Sequence, residues 1–167
     1  MNLLYYPNKF LDKKLDAVDI ENMDFDPKEL KAEMSDIMLT NQGIGLSASQ
    51  VGLNKQLFIM GNTRDDIVMV INPRVLQHTE HTALDHEGCL SFPNLFMTVT
   101  RPAEILVEYH DENLELITQP VSEYSARLFL HEFDHLNGIT FKDRVTNMKY
   151  NLAKKKADKL TKKLNRV

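Results

Sequence analysis

Apolar residues recur at helical spacing near the beginning of this chain. They are separated by three or four positions, which places them on one face of a helix, and they are Leu30, Met34, Ile37 and Met38. Asp26 precedes Pro27 and can cap the first turn, while Gly43 lies just past the last turn. The pattern therefore predicts an amphipathic helix between Asp26 and Gly43.

Shorter apolar runs and alternating segments in the middle of the chain predict β-strands. They cover residues 56–60, 67–71, 96–100, 105–109 and 114–116. Asn72-Pro73 is expected to end the second strand, and residues 111–113 (Asp-Glu-Asn) are expected to form a hairpin turn. Pro120 is expected to end the series of strands.

Two further helices follow these strands. Ser122 can cap a helix that runs to about Gly138, and a last helix covers about 148–164. The apolar stripe predicted for the last helix consists of Met148, Leu152, Ala153, Ala157, Leu160 and Leu164. Antiparallel strands with one buried helix and one helix at each end indicate an α+β fold.

The length of 167 residues favours one compact domain. We predict a catalytic body over residues 1–147 and a basic amphipathic helix over residues 148–167 that packs on it or extends from it. The last 20 residues carry a net charge of +7, which leaves −11 for the remainder of a chain whose total is −4. Such a split bears on partners more than on the fold.

Cys89 is the one cysteine of the chain, so no intramolecular disulfide can form. This usage fits a reducing compartment and makes the thiol a candidate for chemistry. The first residues show no signal-peptide pattern, and no segment approaches transmembrane length. We therefore expect a cytoplasmic location.

Chemistry is indicated first by the string His131-Glu132-Phe133-Asp134-His135. Two histidines four positions apart on a helix face the same side, which suits two ligands of one cation. In such motifs the glutamate is the general base for metal-bound water rather than a ligand. A shuffled chain of this composition would contain the pattern about once in a hundred cases.

A catalytic metal site usually has three protein ligands. Phe141 stands where a metzincin-like run would have its third histidine, and no glutamate follows Glu132. Asp143 is one alternative third ligand. Cys89 is the better candidate, although a lone cysteine is more often a small buried apolar residue. A set of one cysteine and two histidines suits zinc and also ferrous iron.

A third string is Gly-Ile-Gly-Leu-Ser-Ala-Ser-Gln over residues 43–50. Its glycines permit close backbone approach to a ligand, but a helix stop followed by a turn would look the same. With Glu-Gly-Cys-Leu-Ser (87–91) and His-Glu-x-x-His (131–135), in this order, the chain resembles the peptide deformylases. The resemblance extends from residues 3–7 to about Asp143.

The resemblance implies a set of site residues. It makes Cys89, His131 and His135 the ligands of one divalent metal ion and Glu132 the general acid and base. Gln50 and the backbone N–H of Leu90 would bind the formyl oxygen. For the substrate, Gly45 would offer backbone contacts, and Ile44 would line the pocket for the methionine side chain.

It also implies that the enzyme uses ferrous iron in cells, with zinc, nickel or cobalt as substitutes. The substrates would be the N-formylmethionyl ends of new polypeptides, and the products formate and a free amine. Neither DNA nor a membrane is implied as a partner. In the family's bacterial members the C-terminal helix is associated with the ribosome, so residues 148–167 are a candidate docking element; a solvated lysine-rich helix face is the alternative.

The departures from the family pattern spare the predicted ligands and base. Ser47 stands where an alanine is usual, and Leu130 stands where a glutamine is frequent. At residues 92–94 the chain has Phe-Pro-Asn, where a small aliphatic residue, proline, and glycine or glutamate are more usual. His86 is outside the pattern and is expected at the surface.

Two rival functions remain: a zinc endopeptidase that would tolerate loss of Cys89, and a non-enzymatic ribosome-binding module with a silent metal site.

Overall fold

The computed structural model of the chain describes residues 1–164, together with their side chains up to Lys163. Its helices are α1 (Pro27–Thr40), α2 (Glu123–Leu136) and α3 (Asn147–Leu164), and short 3-10 turns lie at Lys9–Asp12, Ala48–Val51 and Phe141–Arg144. Its strands are β1 (Gly45–Ser47), β2 (Leu57–Met60), β3 (Val68–His78), β4 (Thr82–Cys89), β5 (Phe92–Pro102), β6 (Glu104–His110) and β7 (Leu116–Ser122). The predicted α+β class is confirmed.

The strands form two antiparallel sheets. Five of them pair in the order β1-β2-β3-β6-β7, while β4 and β5 form a separate two-stranded ribbon. Helix α2 packs against both sheets, and Phe129 on its sheet side meets the rings of Phe58 and Tyr109 at centroid distances of 5.1 and 6.3 Å. The residues that follow Phe129 on α2 are thereby held between the sheet and the ribbon.

Helix α1 begins as the sequence predicts. The Asp26 carboxylate accepts hydrogen bonds from the backbone N–H groups of Lys28 and Glu29, and Pro27 occupies the first turn. Ser122 occupies the N-cap position of α2, but its side chain makes no capping hydrogen bond.

Two predicted strand ends are wrong. Asn72-Pro73 lies inside β3, at a shift of register between Ile71 and Arg74. Asn72 adopts a φ of 51° there, and its side-chain amide bonds both backbone groups of Val18. A bulge of this kind lets a strand continue past a proline, which has no N–H to donate.

Pro120 likewise lies within β7, paired with Leu106. This is possible because β7 is an edge strand and its outer side needs no ladder hydrogen bonds.

Strands β1 and β4 were not predicted at all, and β5 begins four residues before the predicted 96–100 segment. Leu114, predicted in a strand, lies in the turn with a φ of 65°.

The apolar stripe predicted for α3 is only partly correct. Ala153 and Ala157 pack with β5 residues in a second small core, but Met148, Leu152 and Leu160 are exposed. The side chain of Leu164 and residues 165–167 lie outside the described part of the chain. No helix within residues 1–164 is long and apolar enough to cross a membrane.

Candidate metal centre

Three potential metal-ligating side chains converge between the ribbon and α2. Cys89 ends β4, and His131 and His135 lie one turn apart on α2 with ring centroids 5.2 Å apart. One donor atom from each residue lies within 4.8 Å of the other two, and Cys89 Sγ is 3.3 Å from His135 Nε2. A shift in the β4–β5 register between Gly88 and Cys89 interrupts the ribbon at this point.

The orientation of His131 is set by Glu87. The Glu87 Oε2 atom lies 3.0 Å from His131 Nδ1, so Nε2 is the ring nitrogen left to face Cys89. Burial raises the pKa of Glu87, but hydrogen bonds from His131 and Arg101 outweigh this effect and lower the pKa to about 2. Glu87 is thus a carboxylate across the physiological range.

Arginines surround Glu87 and extend this ionic network. Arg101 donates to Glu87 through Nε (2.6 Å) and Nη2 (2.9 Å), and to Asp134 on α2 through Nη1 at 2.8 Å. Arg127 donates to Glu87 at 2.7 Å, and Arg144 pairs with Asp134. The network links the ribbon to the helix that carries both histidines.

Sequence reasoning missed this network. Two signals were present: Glu87 stands two positions before Cys89, hence on the same side of β4, and Asp134 lies inside the histidine string. Nothing in the sequence pattern pointed to Arg101 as their common partner, because that contact depends on the pairing of β4 with β5.

Glu132 lies beside the three donors in a buried position. Among the described residues its Oε2 atom has no hydrogen-bond partner. Burial raises the pKa of Glu132 to about 7, against the opposing charges of His131 and Arg101. A side chain at Gly45 would collide with this carboxylate and come within 2.8 Å of Leu128 Cδ1, so only glycine fits there without movement.

Gln50 reaches the same centre from the 3-10 turn Ala48–Val51. Its Oε1 accepts from the backbone N–H of Ser47 at 2.9 Å, which directs Nε2 to within 3.5 Å of Cys89 Sγ and 3.2 Å of Ser91 Oγ. The hydroxyl of Ser47 bonds Gln50 as well, at 3.2 Å. The serine that departs from the family pattern therefore supports the glutamine.

The N-terminal segment closes the back of this arrangement. Leu4 N–H donates to the carbonyl of Gln50 at 2.7 Å, and Tyr6 N–H donates to that of Ser91 at 2.9 Å. Tyr6 also stacks on Phe92 with ring centroids 4.8 Å apart. Phe92 thus fills space beside the centre where a smaller aliphatic residue is usual in the family.

A cavity of about 730 Å³ opens in front of the donors. Seven of the eight predicted site residues line it, namely Ile44, Gly45, Gln50, Cys89, Leu90, His131 and Glu132, and the eighth, His135, lies behind them. His86 is exposed, as predicted, and stands at the edge of this cavity.

The donor set fits a single divalent cation. One thiol and two imidazole nitrogens suit zinc or iron, and three ligands leave room for a further one. Asp143, the alternative third ligand, is engaged elsewhere: its carboxylate accepts from the N–H and the hydroxyl of Thr140 at 2.9 and 3.0 Å. In the described structure the chemistry therefore favours Cys89 over Asp143.

Comparison with known proteins agrees with this geometry. The family model described as polypeptide deformylase matches residues 1–151. A peptide deformylase of Synechocystis sp. is 40% identical over 88% of this chain and 80% of its own length.

The chain belongs to the peptide deformylase family.

Two further peptide deformylases extend the comparison. That of Solanum lycopersicum is 36% identical over 98% of the chain, which spans 59% of the length of that relative. The crystal structure of the Legionella pneumophila peptide deformylase superposes with a TM-score of 0.88 at 27% identity, covering 99% of this chain and 98% of the other. The fold of the deformylases therefore accounts for nearly the whole chain, including the position of α3.

Proposed function

We propose that this protein hydrolyses the N-formyl group from the formylmethionine that begins newly made polypeptides, releasing formate and a free amino terminus. Membership of the peptide deformylase family supports removal of the formyl group. The observation that carries the proposal is the meeting of Cys89, His131 and His135 beside the buried carboxylate of Glu132.

Cys89 as thiolate and the Nε2 atoms of His131 and His135 would hold one divalent cation, with ferrous iron as the cellular metal and zinc, nickel or cobalt as substitutes. When bound, such a cation acts as a Lewis acid that makes water a nucleophile near neutral pH. The role of Glu87 is to fix the His131 ring so that Nε2 faces the thiolate.

A thiolate ligand must stay reduced, which is why we propose a cytoplasmic location.

Glu132 would move the protons of the reaction. Its pKa, raised to about 7 by burial, suits a group that accepts a proton in one step and donates it in the next. It would take the proton of the attacking water and later deliver it to the leaving amine. The absence of a side chain at Gly45 leaves room for the carboxylate at the cavity wall.

Gln50 and the backbone N–H of Leu90 would stabilise the negative charge that develops on the formyl oxygen. The Gln50 amide is already held, because Ser47 fixes its oxygen and leaves its Nε2 directed at the centre. Donors fixed in this way require no reorganisation during the reaction, and loss of one typically lowers the rate by about 10²–10³.

The substrate backbone would bind along β1. This strand is at the edge of the five-stranded sheet, and among residues 1–164 no strand pairs with it on the side away from β2, where an extended peptide would add. Ile44 lines the cavity one residue earlier and would contact the methionine side chain.

A ribosome contact through α3 is the further partner that we propose. The α3 surface that faces away from β5 carries Met148 and Leu152, both exposed, among lysines such as Lys155, Lys159 and Lys162. A basic surface with exposed apolar side chains suits RNA or an acidic ribosomal protein. Deletion of residues 148–167 should abolish salt-sensitive co-sedimentation with ribosomes, and unchanged co-sedimentation would contradict the contact.

The experiment that tests the function compares Glu132→Ala with wild-type protein, both purified without oxygen and loaded with iron. Formate release from formyl-Met-Ala should fall by about 10²–10⁴-fold in the variant while its iron content is unchanged. Glu115→Ala, at an exposed site that does not line the cavity, serves as the matched control.

Three outcomes of this experiment would contradict the proposal. Undiminished activity of Glu132→Ala removes the proton-transfer role. Absence of formate release by the iron-loaded wild type favours the non-enzymatic binding module. Cleavage of internal peptide bonds, with no dependence on the formyl group, favours the endopeptidase.

A further inference from the structure

The β4–β5 ribbon presents an exposed face at the edge of the cavity. Residues directly opposite each other in an antiparallel pair point to the same side, and the pairs here are Gly88 with Phe96, His86 with Thr98 and Leu84 with Thr100. We call this side the outer face. Its large apolar members are Leu84, 63% exposed, and Phe96, 65% exposed.

Phe96 is the outer-face residue next to the candidate metal centre. It pairs with Gly88, the neighbour of Cys89. The phenyl ring lies across the Gly88 backbone, since a Cβ on Gly88 would be only 2.6 Å from Phe96 Cε1. Burial of this ring by a bound apolar side chain would therefore be favourable.

The outer face is continuous with the cavity of the proposed active site. Phe96, His86 and Tyr124 line its mouth, while Glu132 and His131 line its interior. Tyr124, at the start of α2, is also exposed. A chain that leaves the candidate metal centre on this side would therefore meet the phenyl ring of Phe96, the phenol of Tyr124 and the imidazole of His86.

We propose that Phe96, together with His86 and Tyr124, binds the second or third residue of the formylated peptide and selects an apolar or aromatic side chain there. This inference rests on the function proposed above and names the preferred substrate within it. Among Leu84, His86, Phe96, Thr98 and Thr100, His86 is the one ionisable side chain. An apolar substrate residue would cover Phe96 and remove its ring from water.

The test measures kcat/KM of the iron-loaded enzyme on two pairs of peptides. These are formyl-Met-Ala-Phe against formyl-Met-Ala-Ser, and formyl-Met-Phe-Ala against formyl-Met-Ser-Ala. The wild type should prefer phenylalanine by roughly tenfold in at least one pair, as hydrophobic subsites discriminate on that scale. Phe96→Ser should reduce that preference to less than about twofold, and Phe96→Leu should retain most of it.

Leu116→Ser is the matched control. Leu116 is 59% exposed on β7 and outside the cavity, so this variant should keep the wild-type preference. A wild-type preference below twofold in both pairs would overturn the inference, and so would an unchanged preference in Phe96→Ser. Absence of formate release from formyl-Met-Ala by the wild type would overturn the proposed function itself, and the inference with it.

Discussion

The two faces of the β4–β5 ribbon differ in almost every respect near the candidate site. The inner face packs towards α2 and buries Glu87, Met97, Val99 and Arg101, while Cys89 is half-buried and only Ala83 and Asp85 on this face are exposed. The outer face is exposed at Leu84, His86 and Phe96. The alternation of side chains along a strand thus places the support of the candidate metal centre and the proposed contact with a peptide on opposite sides of the same two strands.

The largest effect is expected from the inner face at Cys89. Cys89→Ala removes one of three donors, and metal content and formate release should both fall by more than about a hundredfold, because even residues that only orient ligands change affinity by 10- to 100-fold. Metal analysis of protein purified without oxygen measures this directly. Thr100→Ala, on the outer face, should retain its metal, and a Cys89→Ala protein that keeps metal and activity would contradict the proposed ligand set.

A second substitution on the inner face should lower stability. Arg101→Met leaves Glu87 and Asp134 with one fewer partner in a buried site, which should cost about 3–5 kcal/mol in the free energy of unfolding. Arg74→Met is the matched control, since Arg74 is 71% exposed and its ion pair with Glu108 should contribute less than about 1 kcal/mol. Equal urea midpoints for the two variants would show that the buried network does not stabilise the fold.

The same network predicts a dependence of stability on pH. The pKa of Glu87 is about 2 in the folded protein and 4.5 when unperturbed. A depressed carboxyl pKa stabilises the folded state above about pH 4.5, and this contribution, on the order of 3 kcal/mol, is lost as the pH falls towards 2. Urea titrations between pH 6 and 3 should show the decline in wild type and a smaller one in Glu87→Gln.

The smallest effect is expected on the outer face. Leu84→Ser replaces a side chain that is 63% exposed and should change the free energy of unfolding by less than about 0.5 kcal/mol. Urea denaturation of Leu84→Ser and Arg101→Met, measured side by side, compares the loss of stability on the two faces. A loss above 2 kcal/mol in Leu84→Ser would mean that the outer face is covered in the folded protein.

Local signals in the sequence predicted the elements that depend on local chemistry. The Asp26-Pro27 start fixed the beginning of α1 correctly, and helical spacing placed His131 and His135 on one side of α2. The need for a third ligand pointed to Cys89 and the resemblance to the deformylases to Gln50, and the fold brings both together with the histidines. Motifs whose residues lie close together in sequence, or that match a known family, were therefore enough to indicate the candidate site.

Features that depend on distant partners could not be predicted in this way. Pro120 is compatible with β7 because that strand lies at an edge, which no local pattern reveals. Arg101 finds Glu87 across a ribbon and Asp134 on a helix. The direction of the α3 stripe depends on which side of the helix β5 covers, and small Ala153 and Ala157 fit against it where Leu152 and Met148 do not.

The donors of the candidate metal centre lie far apart in sequence, so they are synthesised at different times. Cys89 and His135 are 46 residues apart, and Gln50 and Ser91 are 41 apart. During synthesis β4 and β5 are therefore made before α2, and the candidate metal centre cannot form until both histidines of α2 have been added. An enzyme proposed to act on unfinished chains would thus complete its candidate metal centre late in its own synthesis, after an interval in which the Cys89 thiol has neither His131 nor His135 beside it.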